Sequence, residues 1–217
     1  GRSNVGKSTL LNGLLGQKLA IVSPKPHTTR HKLLGVLNGN NFQAALLDTP
    51  GFLRNGKDHL DKVMAEEIRS ALEEADLAIL VVEPKTPGDV EQYLMDQIKG
   101  SSTPALLILN KIDRISKPRL LPIMKEYFTT ELFKEIIPIS ALTMDGMAEL
   151  VPAIAQYLPK RQPMFPVDLL TDRSLRFLAA EIVREKVFRL YRQEIPYFVA
   201  VQVDTYEERK TKEPDFI

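Results

Sequence analysis

The first nine residues, Gly1-Arg2-Ser3-Asn4-Val5-Gly6-Lys7-Ser8-Thr9 (GRSNVGKST), decide how the rest of the chain is read. Their spacing, G-x-x-x-x-G-K-S, is that of a phosphate-binding loop, which follows a strand and opens a helix. The glycines permit a tight turn in which successive backbone N–H groups point at a phosphate chain. Lys7 supplies a charge for the β- and γ-phosphates, and Ser8 offers a hydroxyl to Mg²⁺. A helix expected over about Thr9–Leu15 adds the positive end of its dipole. Leu10, Leu11, Leu14 and Leu15 share one stripe of it, and Gly16 ends it. A chance Gly-rich turn would account for the glycines but not for the Lys-Ser pair that follows the second. In a doubly wound sheet the strand ahead of such a loop is central. No strand stands ahead of Gly1 here and residue 1 is not Met, so the chain is expected to be part of a longer protein.

The bulk composition narrows the class without choosing a function. The 217 residues are 44% hydrophobic, enough for one or two domains with a real core. A net charge of +1 makes the whole chain no electrostatic magnet for nucleic acid, so any such contact must come from a local patch. There is no Cys, which excludes disulfides and thiolate metal sites and agrees with a reducing compartment. No apolar run reaches the ~18 residues that a membrane span needs. A soluble, globular chain is expected.

Outward from the loop, "AIVSPKPHTTRHK" mixes prolines with polar residues and reads as an ordered or switchable loop. Leu33–Leu37 and Phe42–Leu47 read as strands joined by the Asn38-Gly39-Asn40-Asn41 turn. Residues 52–59 are polar and are expected to be mobile. Apolar spacing predicts a helix over Leu60–Ala75, a buried strand over Leu77–Val82 and a helix over Val90–Ile98. A strand at Ala105–Leu109, a helix at Leu120–Phe128, a strand at Ile136–Ile139 and a helix at Met147–Leu158 follow, the last despite Pro152. Strands alternating with helices at this pitch give an α/β fold with a mostly parallel sheet and functional loops at the strand carboxyl ends.

Three further motifs fall on those loops. Asp48-Thr49-Pro50-Gly51 ends an apolar strand; its carboxylate can reach Mg²⁺ through water and the Gly51 N–H can meet a γ-phosphate. Alone, DTPG is a common turn; downstream of a phosphate loop it gains meaning. Asn110-Lys111-Ile112-Asp113 ends a second strand. Its Asp113 carboxylate can accept two hydrogen bonds, from the N1–H and the exocyclic amine of guanine. Against adenine the same carboxylate would be left buried and unpaired. Asn110 can brace the loop and reach the far edge of the base, and Lys111 can lay its aliphatic stem over the ring. Ser140-Ala141-Leu142 ends the last strand.

With GRSNVGKST, DTPG, NKID and SAL in this order, the chain resembles the translation-factor-class GTPases. More closely it resembles the Era family, bacterial-type GTPases of small-ribosomal-subunit assembly. "SPKPHTTRH", "DTPGF" and the tail "LTDRSLRFLAAEIVREKVFRLYRQEIPYFVAVQVDTYEER" carry that likeness, which covers residues 1–209. The resemblance implies a P-loop NTPase fold of the Ras-like G type over residues 1–160. Residues 161–217 would be a linker and the start of an α+β, type II KH domain. It implies Mg²⁺ as cofactor and GTP and GDP as substrate and product. The nucleotide is then contacted by Gly1, Arg2, Ser3, Asn4, Val5, Gly6, Lys7, Ser8, Thr9, Asp48, Gly51, Asn110, Lys111, Asp113, Ser140, Ala141 and Leu142, with the Ala141 N–H meeting the guanine oxygen. Ser8, Asp48 and a switch-loop threonine serve the metal. That threonine is Thr29, with its neighbour Thr28 the alternative. Small-subunit, 16S-type rRNA and a 30S-type precursor are the implied partners, the cytoplasm the implied location, and peripheral membrane contact stays open.

Two departures stand out. The position after Gly51, where Ras carries a water-orienting Gln, is Phe52, which cannot hold a water by hydrogen bonding. Catalysis is therefore assigned to Lys7, Gly51, Thr29 and Asn4, whose side-chain oxygen can help hold a K⁺ beside the phosphates. Bracing of the loop's own backbone is the plainer role for Asn4. The second departure lies in the tail. Thr171 or Asp172 is expected to cap a helix over about Ser174–Tyr191, with Leu175, Leu178, Ile182 and Leu190 inward, before a strand at 197–203. A KH module clamps the nucleotide backbone with a GXXG loop, yet no glycine follows Gly146. The cations of the linker Lys160-Arg161-Gln162-Pro163 are read as solvated. Two other readings remain: an RNA-binding assembly factor with incidental turnover, and an ATP-using kinase, which Asp113 opposes.

Overall fold

The computed structural model describes residues 1–23, 33–49, 51–52, 66, 68–191 and 199–207. It divides into two compact units, Gly1–Asp172 and Arg173–Ile217. In the first, α1 (Lys7–Leu15) is followed by the antiparallel pair β1 (Leu33–Asn38) and β2 (Gln43–Asp48). Then come β3 (Ala78–Val82), α2 (Asp89–Lys99), β4 (Ala105–Asn110), a 3₁₀ turn at Ile112–Arg114, α3 (Lys117–Phe128), β5 (Glu135–Ile139) and α4 (Met147–Tyr157). Strands β3, β4 and β5 form a parallel sheet in that order, with Leu80 opposite Leu107 and Ile108 opposite Ile137. Residues 68–74 are helical; the earlier part of the helix expected at 60–75 lies outside the described residues, as does most of the 52–59 loop.

β4 shows why a parallel sheet needs a continuous apolar run. All six of its residues are buried, and they alternate between two cores. Leu106 and Ile108 join Val5, Leu10, Leu150 and Ile154 on the side of α1 and α4. Leu107 and Leu109 join Leu94, Ile98 and Tyr127 on the side of α2 and α3. The parallel direction of β3, β4 and β5 places their carboxyl ends, and the loops that follow them, on one rim of that sheet. Gly146 starts α4 with φ 74°, and a Cβ there would meet the Pro138 carbonyl oxygen at 2.4 Å, so the turn after β5 demands glycine.

β2 and β3 do not pair with each other. Between them lies a cavity of about 1180 Å³, lined by Leu46, Leu77, Ile79, Val81 and residues of α1 and the 68–72 turns. Gly1 stands at one end of it. Phe52 N–H donates to the Gly1 oxygen at 3.1 Å, and a Cβ on Gly1 would come within 2.1 Å of the Val81 oxygen. This slot is a gap in the sheet and is distinct from the nucleotide loops, though Lys7 and Asp48 border one end.

Residues 164–170, which follow the Lys160–Pro163 linker, are bound to the β1–β2 hairpin. Gln43 Oε1 accepts from the Met164 and Phe165 N–H groups, both at 2.9 Å, and Gln43 Nε2 donates to the Phe165 oxygen at 2.9 Å. Asn38 Nδ2 donates to the Val167 oxygen at 2.9 Å, and Val36 N–H to the Leu170 oxygen at 2.8 Å. Gln43→Ala removes the first three bonds at once, together with the 2.8 Å bond from Gln43 Nε2 to the Asn38 Oδ1 that orients the Val167 contact. Limited proteolysis of that variant should cut between residues 160 and 172 several-fold faster than in the parent. Arg161, read as merely solvated, pairs with Asp76 at 3.1 Å while remaining 62% exposed.

In the second unit α5 spans Leu175–Leu190. Its cap is Ser174, whose side chain accepts the Phe177 N–H at 3.3 Å, and not Thr171 or Asp172. The inward face is also corrected. Leu175, Ile182 and Leu190 are exposed, whereas Arg184, Glu185 and Phe188 are buried. Charge pairing makes this tolerable: Arg184 binds Glu181 at 2.6 Å and lies over the Phe188 ring, and Glu185 pairs with Arg189 at 2.7 Å. Residues 199–203 take no strand, because no described segment forms a ladder with them; 197 and 198 lie outside the described residues.

Candidate functional site

The phosphate loop is shaped by Gly6, which has φ 99° and whose Cβ would meet Asn110 Nδ2 at 2.2 Å. Left-handed backbone and close approach thus both demand glycine there. Asn4 is also left-handed, with φ 64°, a conformation Asn tolerates better than most residues. α1 then opens at Lys7 with neither a side-chain cap nor an acidic residue in its first turn. Its dipole therefore faces the loop without a carboxylate of its own. Lys7 folds back over the loop, with Nζ 2.9 Å from the Arg2 oxygen and 3.3 Å from the Gly1 oxygen. Burial pushes its pKa below the ordinary lysine value, and the Asp48 charge partly opposes that. A desolvated ammonium held by two backbone carbonyls, with one carboxylate near it, is poised for an anion.

Ser8 Oγ donates to Asp48 Oδ2 at 2.7 Å, joining the start of α1 to the end of β2. Mg²⁺ keeps several waters and takes few protein oxygens beside substrate phosphates, so this hydroxyl–carboxylate pair fits it. Among the described residues no cluster of three acidic or His side chains offers a fuller protein cage. Thr28 and Thr29 lie outside the described residues. Gly51 packs against the loop: a Cβ on it would come within 2.5 Å of the Ser3 Cα, and Ser3 Oγ donates to its oxygen at 3.3 Å. Phe52 turns into the core, 4% exposed and stacked on Tyr93 at 5.0 Å. The water-orienting position is thus replaced by a packing residue.

The base side is tied to the phosphate side by Asn110. Its Nδ2 donates to the Val5 oxygen at 2.8 Å and its Oδ1 accepts the Ala141 N–H at 2.9 Å. One buried side chain so braces three motifs, and it engages the Ala141 N–H that the resemblance assigns to the guanine oxygen. Ser140 Oγ donates to Asp113 Oδ1 at 2.6 Å, which orients the carboxylate that the motif assigns to the base. Leu142 is 73% exposed at the rim. Thr9 follows Ser8 within the first turn of α1. Arg2 anchors the loop from behind, its guanidinium 3.8 Å from Glu91 of α2, a carboxylate fully buried beside Lys85 as well.

Two residues that the motifs do not contain belong to this frame. Glu91 also accepts the Gly88 N–H at 3.2 Å and so fixes the start of α2. Glu83, directly after β3, receives Lys111 Nζ at 2.5 Å, and the same ammonium reaches the Asn4 oxygen. Glu83 stands directly after the buried strand β3, and its partner Lys111 is 28 residues away, so no local pattern marks it.

Residues 1–111 match the model of a family described as 50S ribosome-binding GTPases. GTPase Era of Geobacter metallireducens is 45% identical over 211 residues, 97% of this chain and 70% of that protein. GTPase Era of Lactobacillus helveticus is 42% identical over 204 residues, 94% of this chain and 67% of that protein. The crystal structure of Era with MgGDPNP and nucleotides 1506–1542 of 16S ribosomal RNA superposes with a TM-score of 0.83 at 43% identity, covering 91% of this chain and 67% of that one. A variant of Aquifex aeolicus Era bound to GDP·AlF₄⁻ gives the same TM-score and identity, over 90% of this chain and 67% of that one. With a phosphate loop, a Ser8–Asp48 pair and an Asn110-braced base loop in one P-loop GTPase fold, the chain belongs to the Era family of GTPases.

Proposed function

We propose that this chain binds GTP with Mg²⁺ and hydrolyses it as a timed switch in small-ribosomal-subunit assembly in the cytoplasm. The observation that carries the nucleotide reading is the double hydrogen bond of Asn110, which fixes the base-reading loop to the phosphate loop. The Asp113 carboxylate beside it selects guanine. In hydrolysis a water attacks the γ-phosphorus and the bond to the β-phosphate oxygen breaks. Lys7 and the loop N–H groups hold the oxygens on which charge collects, and the Gly51 N–H lies against the same loop. Ser8 and Asp48 would hold Mg²⁺, which supplies charge neutralisation at the β and γ oxygens. The rRNA side rests on the relative crystallised with 16S rRNA nucleotides. The KH-like part of residues 161–217 is the side of the chain assigned to RNA. Multiple-turnover hydrolysis of GTP against ATP, with and without small-subunit RNA, tests this. Preference for ATP would overturn it, and GTP binding without turnover would leave an RNA-binding factor with nucleotide as ligand.

Asn4 supplies a further expectation. Phe52 is packed away and orients no water. The charge that develops between the β- and γ-phosphates needs a cation of its own, a need that a monovalent ion held by Asn4 meets. Turnover should be faster in KCl than in NaCl at equal ionic strength. Because Asn4 has φ 64°, Asn4→Gly removes the side chain without the strain of about 1–2 kcal/mol that Ala brings. That variant should lose the potassium advantage and keep GTP binding. Equal rates in the two salts would leave Asn4 a bracing residue.

A further inference from the structure

Lys111 is held by two acceptors from two different parts of the chain. Its Nζ reaches the Asn4 oxygen in the phosphate loop and Glu83 Oε1 at the end of β3, each at 2.5 Å. Its backbone is left-handed at φ 70°, so the side chain leaves the turn after β4 in a fixed direction. The lysine side chain is 19% exposed and the glutamate 38%. Glu83 forms no part of the phosphate, metal or base-reading motifs, and its pair with Lys111 is a contact to a motif residue only. We propose that Glu83 is a positioning residue for guanine-nucleotide binding. It locks the Lys111 ammonium against the Asn4 carbonyl, so that base loop and phosphate loop close on the ligand as one frame. The inference deepens the nucleotide reading above and rests on it.

The physical case starts from the lysine. An ammonium is a compact, strongly hydrated charge on a stem with several rotatable bonds, and one partly exposed carbonyl does not keep it out of water. A carboxylate does, because charge-assisted bonds are shorter and stronger than neutral ones. With the head fixed at two points, the stem stays stretched across the gap between the loops, where its methylene face can cover a base. Without the carboxylate the head swings to solvent, the stem follows, and the Asn4 carbonyl loses its partner. Other charges around Glu83 agree with the pairing. Burial favours its neutral form, but the Lys111 hydrogen bond and the charges of Lys111, Lys85 and Arg114 outweigh that and hold its pKa below the usual range. Glu83 is therefore charged throughout the working pH range.

The test is the dissociation rate of a fluorescent GDP from the parent chain, Glu83→Gln, Glu83→Asp, Lys111→Met and the Glu83→Gln/Lys111→Met double variant. Glu83→Gln should release GDP about three- to tenfold faster, the range for a charged hydrogen bond that is partly exposed. Glu83→Asp keeps the charge and should recover part of that loss. In the Lys111→Met background the Glu83 change should have less than a twofold effect, because the two act as one unit. An unchanged rate in Glu83→Gln, or the same factor on top of Lys111→Met, overturns the proposal. So does a fall in the melting temperature of the ligand-free chain that tracks the loss of affinity, which would make Glu83 scaffolding. A parent chain that binds no guanine nucleotide overturns the nucleotide reading itself, and this one with it.

Discussion

Asp113→Asn is expected to move the preference of the chain from GTP to xanthosine triphosphate. In the proposed role the carboxylate accepts from two donors on guanine, and each hydrogen bond to a charged group is worth roughly 1.5–3 kcal/mol. Asn presents one acceptor and one donor group, so one bond to guanine is lost and its amine meets another amine. The geometry says which way the new amide will face. Ser140 Oγ donates to Asp113 Oδ1 at 2.6 Å, so an amide oxygen will take that place and the amide nitrogen will turn to the base. Xanthine carries a carbonyl where guanine has its amine, and accepts what the amide now offers. GTP affinity should fall by a factor on the order of 10²–10³, and the xanthine nucleotide should become the better competitor. Competition of the two triphosphates against labelled GDP reads this directly. Unchanged GTP affinity in the variant would remove Asp113 from the base-reading role.

The site was legible in the sequence because its residues are forced by backbone geometry at fixed spacing. Gly6 must be glycine for its φ and for Asn110 Nδ2, and Gly51 must be glycine for Ser3, so the motifs record contacts that no other residue permits. The strands were legible for a similar reason. β4 is apolar at five consecutive positions because both its faces are covered, which few other local structures require. Glu83 and Gln43 escaped because their partners lie far away in sequence. Lys111 is 28 residues from Glu83, and Phe165 is 122 from Gln43. Nothing local distinguishes such a Glu or Gln from a solvated one. α5 was misread for a different cause. Its apolar residues scatter around the helix, so the buried face was set by the Glu181–Arg184 and Glu185–Arg189 pairs with Phe188. Periodicity of hydrophobic residues cannot register a face whose burial depends on paired charges.

The gap between β2 and β3 leads to the second large effect. Five or six residues of Val, Ile and Leu joined directly ahead of Gly1 should enter the slot as a strand parallel to β3. Gly1 already occupies the line such a strand would follow, bonded to Phe52 on one side and touching Val81 on the other. A strand of that length is about 17–20 Å long. It would pair with both facing edges, β2 and β3, which do not pair with each other. Its alternate side chains would cover the Leu10–Ile108–Ile154 core on one face and the Leu80–Leu94–Leu107 core on the other. A gain of about 3 kcal/mol or more is expected, and at this chain length each kcal/mol moves the melting temperature by about 2–4 °C. Nucleotide affinity should rise with it, because the added strand would fix Gly1, and Lys7 Nζ rests on the Gly1 and Arg2 oxygens. The same extension with Asp at alternate positions keeps the length but places charges in an apolar slot, and should give no stabilisation. If the apolar and Asp-bearing extensions melt together, at the temperature of the parent chain, the slot does not take a strand. The rise in nucleotide affinity would then have no structural cause.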